Sequence, residues 1–315
     1  MTRIILKSGL ALGDIVALSA VPRELASQYP GEFQVAMDTP FQSLFENNPH
    51  VVPAGDDFEV IQCEYHRDKW ESVNRSNENP THLITAYCQD VANSLGITLR
   101  PTKLAGDIHL SREEYGWKSI PHERFNCQRF WLVCSGGKDD FTVKHWSHES
   151  YQKVVEYFRG RIQFVQVGSN APGHIHRPLN GVINLVGQTD VRQLVRLVHS
   201  SCGVLCGITA LVHLAAAVPL PTWQKRPKPC VVVAGGREPR TWYGYPTHRI
   251  LETVGSLSCC ATGGCWHART VPLSDGHDDR LCERVRNDSP ACMTAIRPES
   301  VILEIERVLE CQGLE

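Results

Sequence analysis

From residue 130 to 234 the chain alternates short, near-continuous apolar runs with segments whose apolar residues recur at helical spacing, and no other feature limits its fold as much. Phe130-Trp131-Leu132-Val133-Cys134 is the first run, ended by Ser135-Gly136-Gly137. Ser147 is placed to cap a helix through Phe158, and Ile162 to Val167 is the next strand, closed by Gly168-Ser169. A strand over Val182 to Leu185 precedes a helix capped by Thr189 or Asp190 and running through His199. Gly203 to Cys206 is again a strand, Thr209 to Val218 a helix stopped by Pro219, and Cys230 to Ala234 a strand stopped by Gly235-Gly236. Strands apolar throughout are buried on both faces, and strands separated by helices run parallel, so the pattern predicts an α/β fold with a covered parallel sheet.

A shorter version of the pattern precedes it. Ile4 to Leu6 predicts a strand, Ile15 to Tyr29 a helix, Phe33 to Met37 a strand, Phe41 to Phe45 a short helix, Val60 to Cys63 a strand, and Leu83 to Leu95 a helix stopped by Gly96. Residues 100 to 127 hold Pro101, Gly106, Gly116 and Pro121 with little periodicity and read as a linker. At 315 residues the chain exceeds what one core usually serves. The expectation is two Rossmann-like halves facing a cleft, residues 1–125 and 126–255. A cysteine-rich module over 256–297 and a C-terminal helix within 298–315, with Pro298 in its first turn, complete the chain.

The balance of 32 Lys+Arg against 34 Asp+Glu, net charge -2, gives no general attraction to nucleic acid or an anionic membrane. No run approaches the roughly 18 apolar residues of a membrane span, and the N-terminal apolar run is too short for a signal peptide. A cytoplasmic protein is expected. Its 13 cysteines then read as free thiols and metal ligands rather than disulfides.

Chemistry-bearing residues collect where strands end. The loop Lys7 to Asp14 follows the first strand, at the edge where doubly wound sheets bind ligands. Asp14 there is either the cap of a helix starting at Ile15, the commoner use, or a base for a hydroxyl proton. Lys144, before the helix capped by Ser147, is placed to meet phosphate; Trp146 beside it reads as packing. Thr209 and Ala210 open a helix whose free N–H groups suit phosphate, and His213 on its apolar run reads as a hydrogen-bonded core residue. Arg237 or Glu238, after the last strand, reads equally as a donor contact or as surface loop. Cys259, Cys260, Cys265, Cys282 and Cys292 crowd a stretch with almost no apolar core, and such stretches often fold on a metal. Four thiolates suit zinc or iron; the spacing is not the common paired C-x2-C, and His267 and His277 are substitute ligands.

Gly13-Asp14, Lys144-His145-Trp146 and the run Thr209 to Ala217 resemble, in order and spacing, the motifs of family 9 glycosyltransferases, the bacterial heptosyltransferases, over roughly residues 3 to 250. The resemblance implies the GT-B fold, an acceptor in the first half, and a nucleotide sugar in the second. It implies Asp14 as general base of an inverting displacement without a catalytic metal, with Lys7 and Gly13 on the acceptor-side loop. Lys144, Thr209, Ala210, His213, Gly207, Ser135, Gly136 and Arg237 then form the donor side. Ile208 departs from the pattern, since the family commonly has an aspartate there. The cysteine stretch resembles the cysteine-bound iron appendage of autotransporter heptosyltransferases, which implies a structural metal, iron or zinc, remote from Asp14. Its ligands would be Cys260, Cys265, Cys282 and Cys292, with Cys259 as alternative to Cys260. The acceptor is open among a saccharide, a protein and a modified nucleobase, and a homo-oligomer is compatible. Two rival readings are a binding protein carrying a zinc ribbon and a glycosyltransferase acting on hydroxylated DNA bases.

Overall fold

The computed structural model describes residues 1–64, 75–273 and 281–312. Strands β1 (Thr2–Lys7), β2 (Phe33–Asp38) and β3 (Glu59–Gln62) form a parallel sheet with β1 in the middle. Helices α1 (Leu12–Leu18), α2 (Ala20–Gln28) and α3 (Leu83–Leu95) pack on it. The expected helix from Ile15 to Tyr29 is therefore two helices. The break falls at Ser19, whose hydroxyl donates to the Val16 carbonyl at 2.6 Å, and Pro22 in the next turn has no N–H to continue the ladder. Helix α3 matches its expected bounds, with Gly96 left-handed at φ 67°.

The segment over 100–127 is more ordered than its sequence suggests. It carries α4 (Arg112–Tyr115), opened by a full Ser111–Glu114 capping box, and α5 (Ile120–Phe125), capped by Ser119 with Pro121 in its first turn. Glu114 is also a clasp between the halves. It receives Arg192 and Arg196 from α7 (Val191–Ser200, preceded by α6, His148–Tyr157), and Arg192 also donates to the carbonyls of Ser43 and His109. Burial pushes the Glu114 carboxyl up, but Arg192, the Ser111 N–H and Arg196 together hold it down at about 2.

In the second half, chain order gives β4 (Trp131–Cys134), β5 (Gly137–Lys138), β6 (Phe164–Gln166), β7 (His174–Ile175), β8 (Ile183–Asn184), β9 (Gly203–Cys206), β10 (Cys230–Gly235) and β11 (His248–Glu252). Six of these form one parallel sheet in the order β11-β10-β9-β4-β6-β8. Starting from β4, the strands progress outward through β6 and β8, then return to the other side of β4 for β9, β10 and β11. That is the dinucleotide-binding order, and its reversal opens a crevice between the carboxyl ends of β4 and β9. Strand β11 and helix α9 (Arg240–Tyr243), following α8 (Ala210–Ala217), were not legible in the sequence. The remaining elements are the hairpin of β12 (Val285–Arg286) with β13 (Ser289–Pro290), α10 (Ala291–Thr294) and α11 (Pro298–Gln312). Val301 and Ile305 of α11 are fully buried in the core that Val154, Phe158 and Val233 share, so the last helix completes the second half. Among the described residues no helix is long and apolar enough to cross a membrane.

Candidate active site

Each sheet has one place where the chain reverses its direction of winding, and the loops that leave those places face each other. In the first sheet it is the end of β1. Lys7 closes that strand and pairs with Asp38 at 2.7 Å, and the loop after it enters α1 with Ala11 as the N-cap. Asp14 is thus the third residue of the helix, not its cap, because the helix starts three residues before Ile15. Gly13 makes that early start feasible: a Cβ there would stand 2.9 Å from His213 Cδ2 and 3.4 Å from Ala210 Cα, so α1 and α8 approach through this glycine.

In the second sheet, the loop after β4 carries Lys144 on a 3-10 segment, Asp139–Lys144, rather than directly before helix α6. Ser147 caps α6 as expected, accepting from the Ser150 N–H at 3.1 Å, and Trp146 is a packing residue, its Nε1 bonded to the Ile296 carbonyl at 2.9 Å. Lys144 Nζ meets Glu238 Oε1 at 2.7 Å. Asp14 and Lys144 act on each other across the cleft. Burial raises the Asp14 carboxyl against the pull of Lys144, the Ala11 N–H and Lys138; burial and the Arg237 guanidinium lower Lys144 well below an ordinary lysine, against Asp14 and Asp140. A carboxylate raised by burial is a better proton acceptor than an exposed one.

The other expected donor-side residues divide. Gly207 lies against the cleft loop, where an added Cβ would stand 3.0 Å from the Lys144 carbonyl. Thr209 is the N-cap of α8 but makes no capping bond; its hydroxyl faces the buried thiols of Cys134 and Cys206. Ala210 begins the helix, with Ile208 buried just before it. His213 is the core residue it was expected to be. Its Nδ1 pairs with the Tyr245 hydroxyl at 2.8 Å, and burial, followed by His82, His248 and Lys144, lowers it to about 3. Ser135 accepts from Gln166 Nε2 at 3.0 Å, while Gly136 is covered by Ile175 of β7, which pairs antiparallel with β5, and by His176 just after it.

Arg237 and Glu238 are buried, which excludes the surface-loop reading. Sequence reasoning underweighted Glu238, whose only signal was its place after the last strand then recognised.

The cysteine stretch is not set apart from the cleft. Cys265 N–H bonds the Gly236 carbonyl at 3.2 Å, Trp266 N–H the Arg237 carbonyl at 3.1 Å, and the Ala268 carbonyl takes the Val143 N–H at 3.2 Å, so the stretch lies against both loops that hold Lys144. Its thiols share one neighbourhood: Cys260 and Cys282 act on Cys259, Cys259 and Cys292 on Cys265, and Cys282, Cys260 and Cys259 on Cys292. That donor set suits a thiolate-binding metal. Among the described residues no three His, Cys, Asp or Glu side chains converge as ligands of one ion. His277 lies outside the described residues; the His267 carbonyl accepts from Arg237 Nε at 2.7 Å.

Residues 64–222 match the model of glycosyltransferase family 9 (heptosyltransferase). A curated relative, lipooligosaccharide heptosyltransferase 2 of Haemophilus ducreyi, is 24% identical over 182 residues, a match spanning 54% of this chain and 44% of that protein. Among solved structures, a family 9 glycosyl transferase from Veillonella parvula superposes with a TM-score of 0.63 at 13% identity, covering 98% of this chain and 97% of that one. ADP-heptose LPS heptosyltransferase II of E. coli gives 0.59 at 15% identity, over 99% of this chain and 100% of that one. TibC of enterotoxigenic E. coli, a dodecameric iron-containing heptosyltransferase solved with ADP-D-beta-D-heptose, gives 0.65 at 14% identity, over 100% of this chain and 77% of that one.

Proposed function

The chain belongs to glycosyltransferase family 9, and from that premise we propose that it transfers a heptose or hexose, with inversion, from a nucleotide sugar to an acceptor hydroxyl. The observation that carries this reading is the facing pair of Asp14 and Lys144, each at the winding reversal of its own sheet and each perturbing the other. Asp14 takes the proton of the acceptor hydroxyl as its oxygen attacks the anomeric carbon. The bond from that carbon to the diphosphate breaks, the electron pair leaves with the nucleotide, and Lys144 and the N–H groups opening α8 at Thr209 and Ala210 meet the charge. ADP-linked donors are the first class to test, because TibC was solved with ADP-D-beta-D-heptose. Ile208, buried in the core just before α8, leaves that donor without the carboxylate that the resemblance to the family would place there.

The test is Asp14→Asn assayed for nucleotide release from ADP-heptose and other nucleotide sugars. Loss of about 10² to 10⁴ in rate is expected with the fold intact; an unchanged rate overturns the assignment of the base.

As part of the same reading, Cys260, Cys265, Cys282 and Cys292, with Cys259 as alternative to Cys260, hold one iron or zinc, which when bound cross-links the stretch and takes no part in transfer. The shared neighbourhood of the thiols supports this, as does the iron of TibC. Elemental analysis should find close to one equivalent; less than half overturns it. A cytoplasmic site of action and a homo-oligomer belong to the reading as well, and light scattering on the purified chain decides the second.

A further inference from the structure

Glu238 is only 4% exposed. A carboxylate that deep is costly unless cations and donors meet it. Two cations do, Lys144 Nζ at 2.7 Å and the guanidinium of Arg237. Arg237 is in turn held on several sides: its Nε donates to the His267 carbonyl, and its plane lies 5.0 Å from the Phe141 ring and 5.5 Å from that of Trp266. Phe141 also sits under Lys144, 5.4 Å from Nζ. One carboxylate, two cations and two rings thus make a closed unit whose cleft end is the lysine that faces Asp14.

The unit is braced from outside by residues 263–270. Besides the backbone bonds to Gly236, Arg237 and Val143, the hydroxyls of Thr142 and Thr270 meet at 3.1 Å. The same segment reaches the first half: Ser76 Oγ donates to the Gly263 carbonyl at 2.7 Å and accepts from Trp266 Nε1 at 3.4 Å. Gly236, two residues before Glu238, is seated between cysteine side chains, since an added Cβ would stand 3.0 Å from Cys260 Sγ and 3.3 Å from Cys292 Cβ.

A lysine ammonium on its four-carbon stem has many rotamers, and a donor that had to order it would lose affinity. We propose that Glu238 is a positioning residue for Lys144, selecting the rotamer that faces the donor, and that the segment from Gly263 to Thr270 holds Glu238 in register with both halves. This rests on Lys144 being the diphosphate contact. The Glu238 carboxylate makes its contact in the free protein, so the site is arranged before a ligand arrives.

The experiment labels the full chain with an N-hydroxysuccinimide ester at pH 8 and follows each lysine by peptide mass spectrometry. Glu238→Gln should speed acylation of Lys144 at least fivefold while Lys7 and Lys138 keep their rates. Glu238→Asp, which retains the charge but draws it back from Nζ, should fall between. Wild-type rates at Lys144 in Glu238→Gln overturn the proposal, and if that variant does not fold, a wild-type rate in Glu238→Asp does so. Calorimetric titration with ADP separates the two layers. Unchanged ADP affinity in Lys144→Gln overturns the diphosphate reading itself. Loss of affinity there, but none in Glu238→Gln where about tenfold is expected, overturns only the positioning role.

Discussion

Lowering the pH from 7 to 4.5 should strongly destabilise this protein through one interface. His82 caps α3 in the first half, while His213, Tyr245 and His248 belong to the second, and the His82, His213 and His248 rings all stand edge-on to Tyr245 at centroid distances of 5.1 to 5.7 Å. Burial lowers His82 and His248 to about 4 from 6.5; burial, His82 and His248 lower His213 to about 3. The fold therefore favours neutral rings, and the unfolded chain binds more protons below pH 6.5. The stabilisation is complete above 6.5 and is lost as pH falls toward 4. At pH 4.5 the loss is about 2 to 3 kcal/mol for each ring, or about 8 kcal/mol as a ceiling for three that repel one another once charged. Total stability is on the order of 5 to 15 kcal/mol. His145, His176 and His199 are lowered by burial as well, so the cluster needs its own probe. His248→Phe supplies it, because among the described residues neither ring nitrogen of His248 has a hydrogen-bond partner to lose. Urea midpoints at pH 7, 6 and 5 should fall steeply for the wild type. The variant should match it within about 1 kcal/mol at pH 7, with a slope lower by about 1 kcal/mol per pH unit across that range. A midpoint flat between pH 7 and 5, or equal slopes for the two proteins, refutes the reasoning.

Gly13→Val would drive a branched side chain into His213 and Ala210, costing about 1 to 3 kcal/mol by thermal melting and displacing Asp14, so nucleotide release should fall well beyond the stability loss. Glu114→Gln leaves Arg192 and Arg196 facing a neutral amide; chemical denaturation should report a loss of about 3 kcal/mol, insensitive to salt because the pair is buried. Gly236→Ala presses on Cys260 and Cys292, and both metal content and transfer rate should drop, the rate by about tenfold; unchanged values of both would show that the loop yields freely.

What the sequence made legible follows from what local physics dictates. Apolar runs such as Leu132 to Cys134 and Gly203 to Cys206 are buried on both faces, so their composition announces a strand. Gly96 and Ser147 end and begin helices by local hydrogen bonding and backbone conformation, and of the two capping candidates Thr189 and Asp190 the helix uses Asp190. Strand β11 was missed because His248-Arg249-Ile250-Leu251-Glu252 mixes charge with apolar residues, as an edge strand does. The capping box at Ser111 is written locally, but the prolines and glycines around it break the apolar periodicity that would mark a helix. Glu238 was legible only as a candidate at a strand end; its pairing with Lys144 and Arg237, and the bracing by residues 263–270 through Ser76, are set by tertiary placement alone.

The clasp at Glu114 and the histidine interface join the same two halves but answer acid differently. Glu114 keeps its charge down to about pH 2, while the rings around Tyr245 take up protons well above that. Acid thus loosens one of the two connections between the halves while the other holds. The first product of acidification should be a hinged, enlarged particle with its helices intact, visible by small-angle scattering before the far-ultraviolet circular dichroism changes.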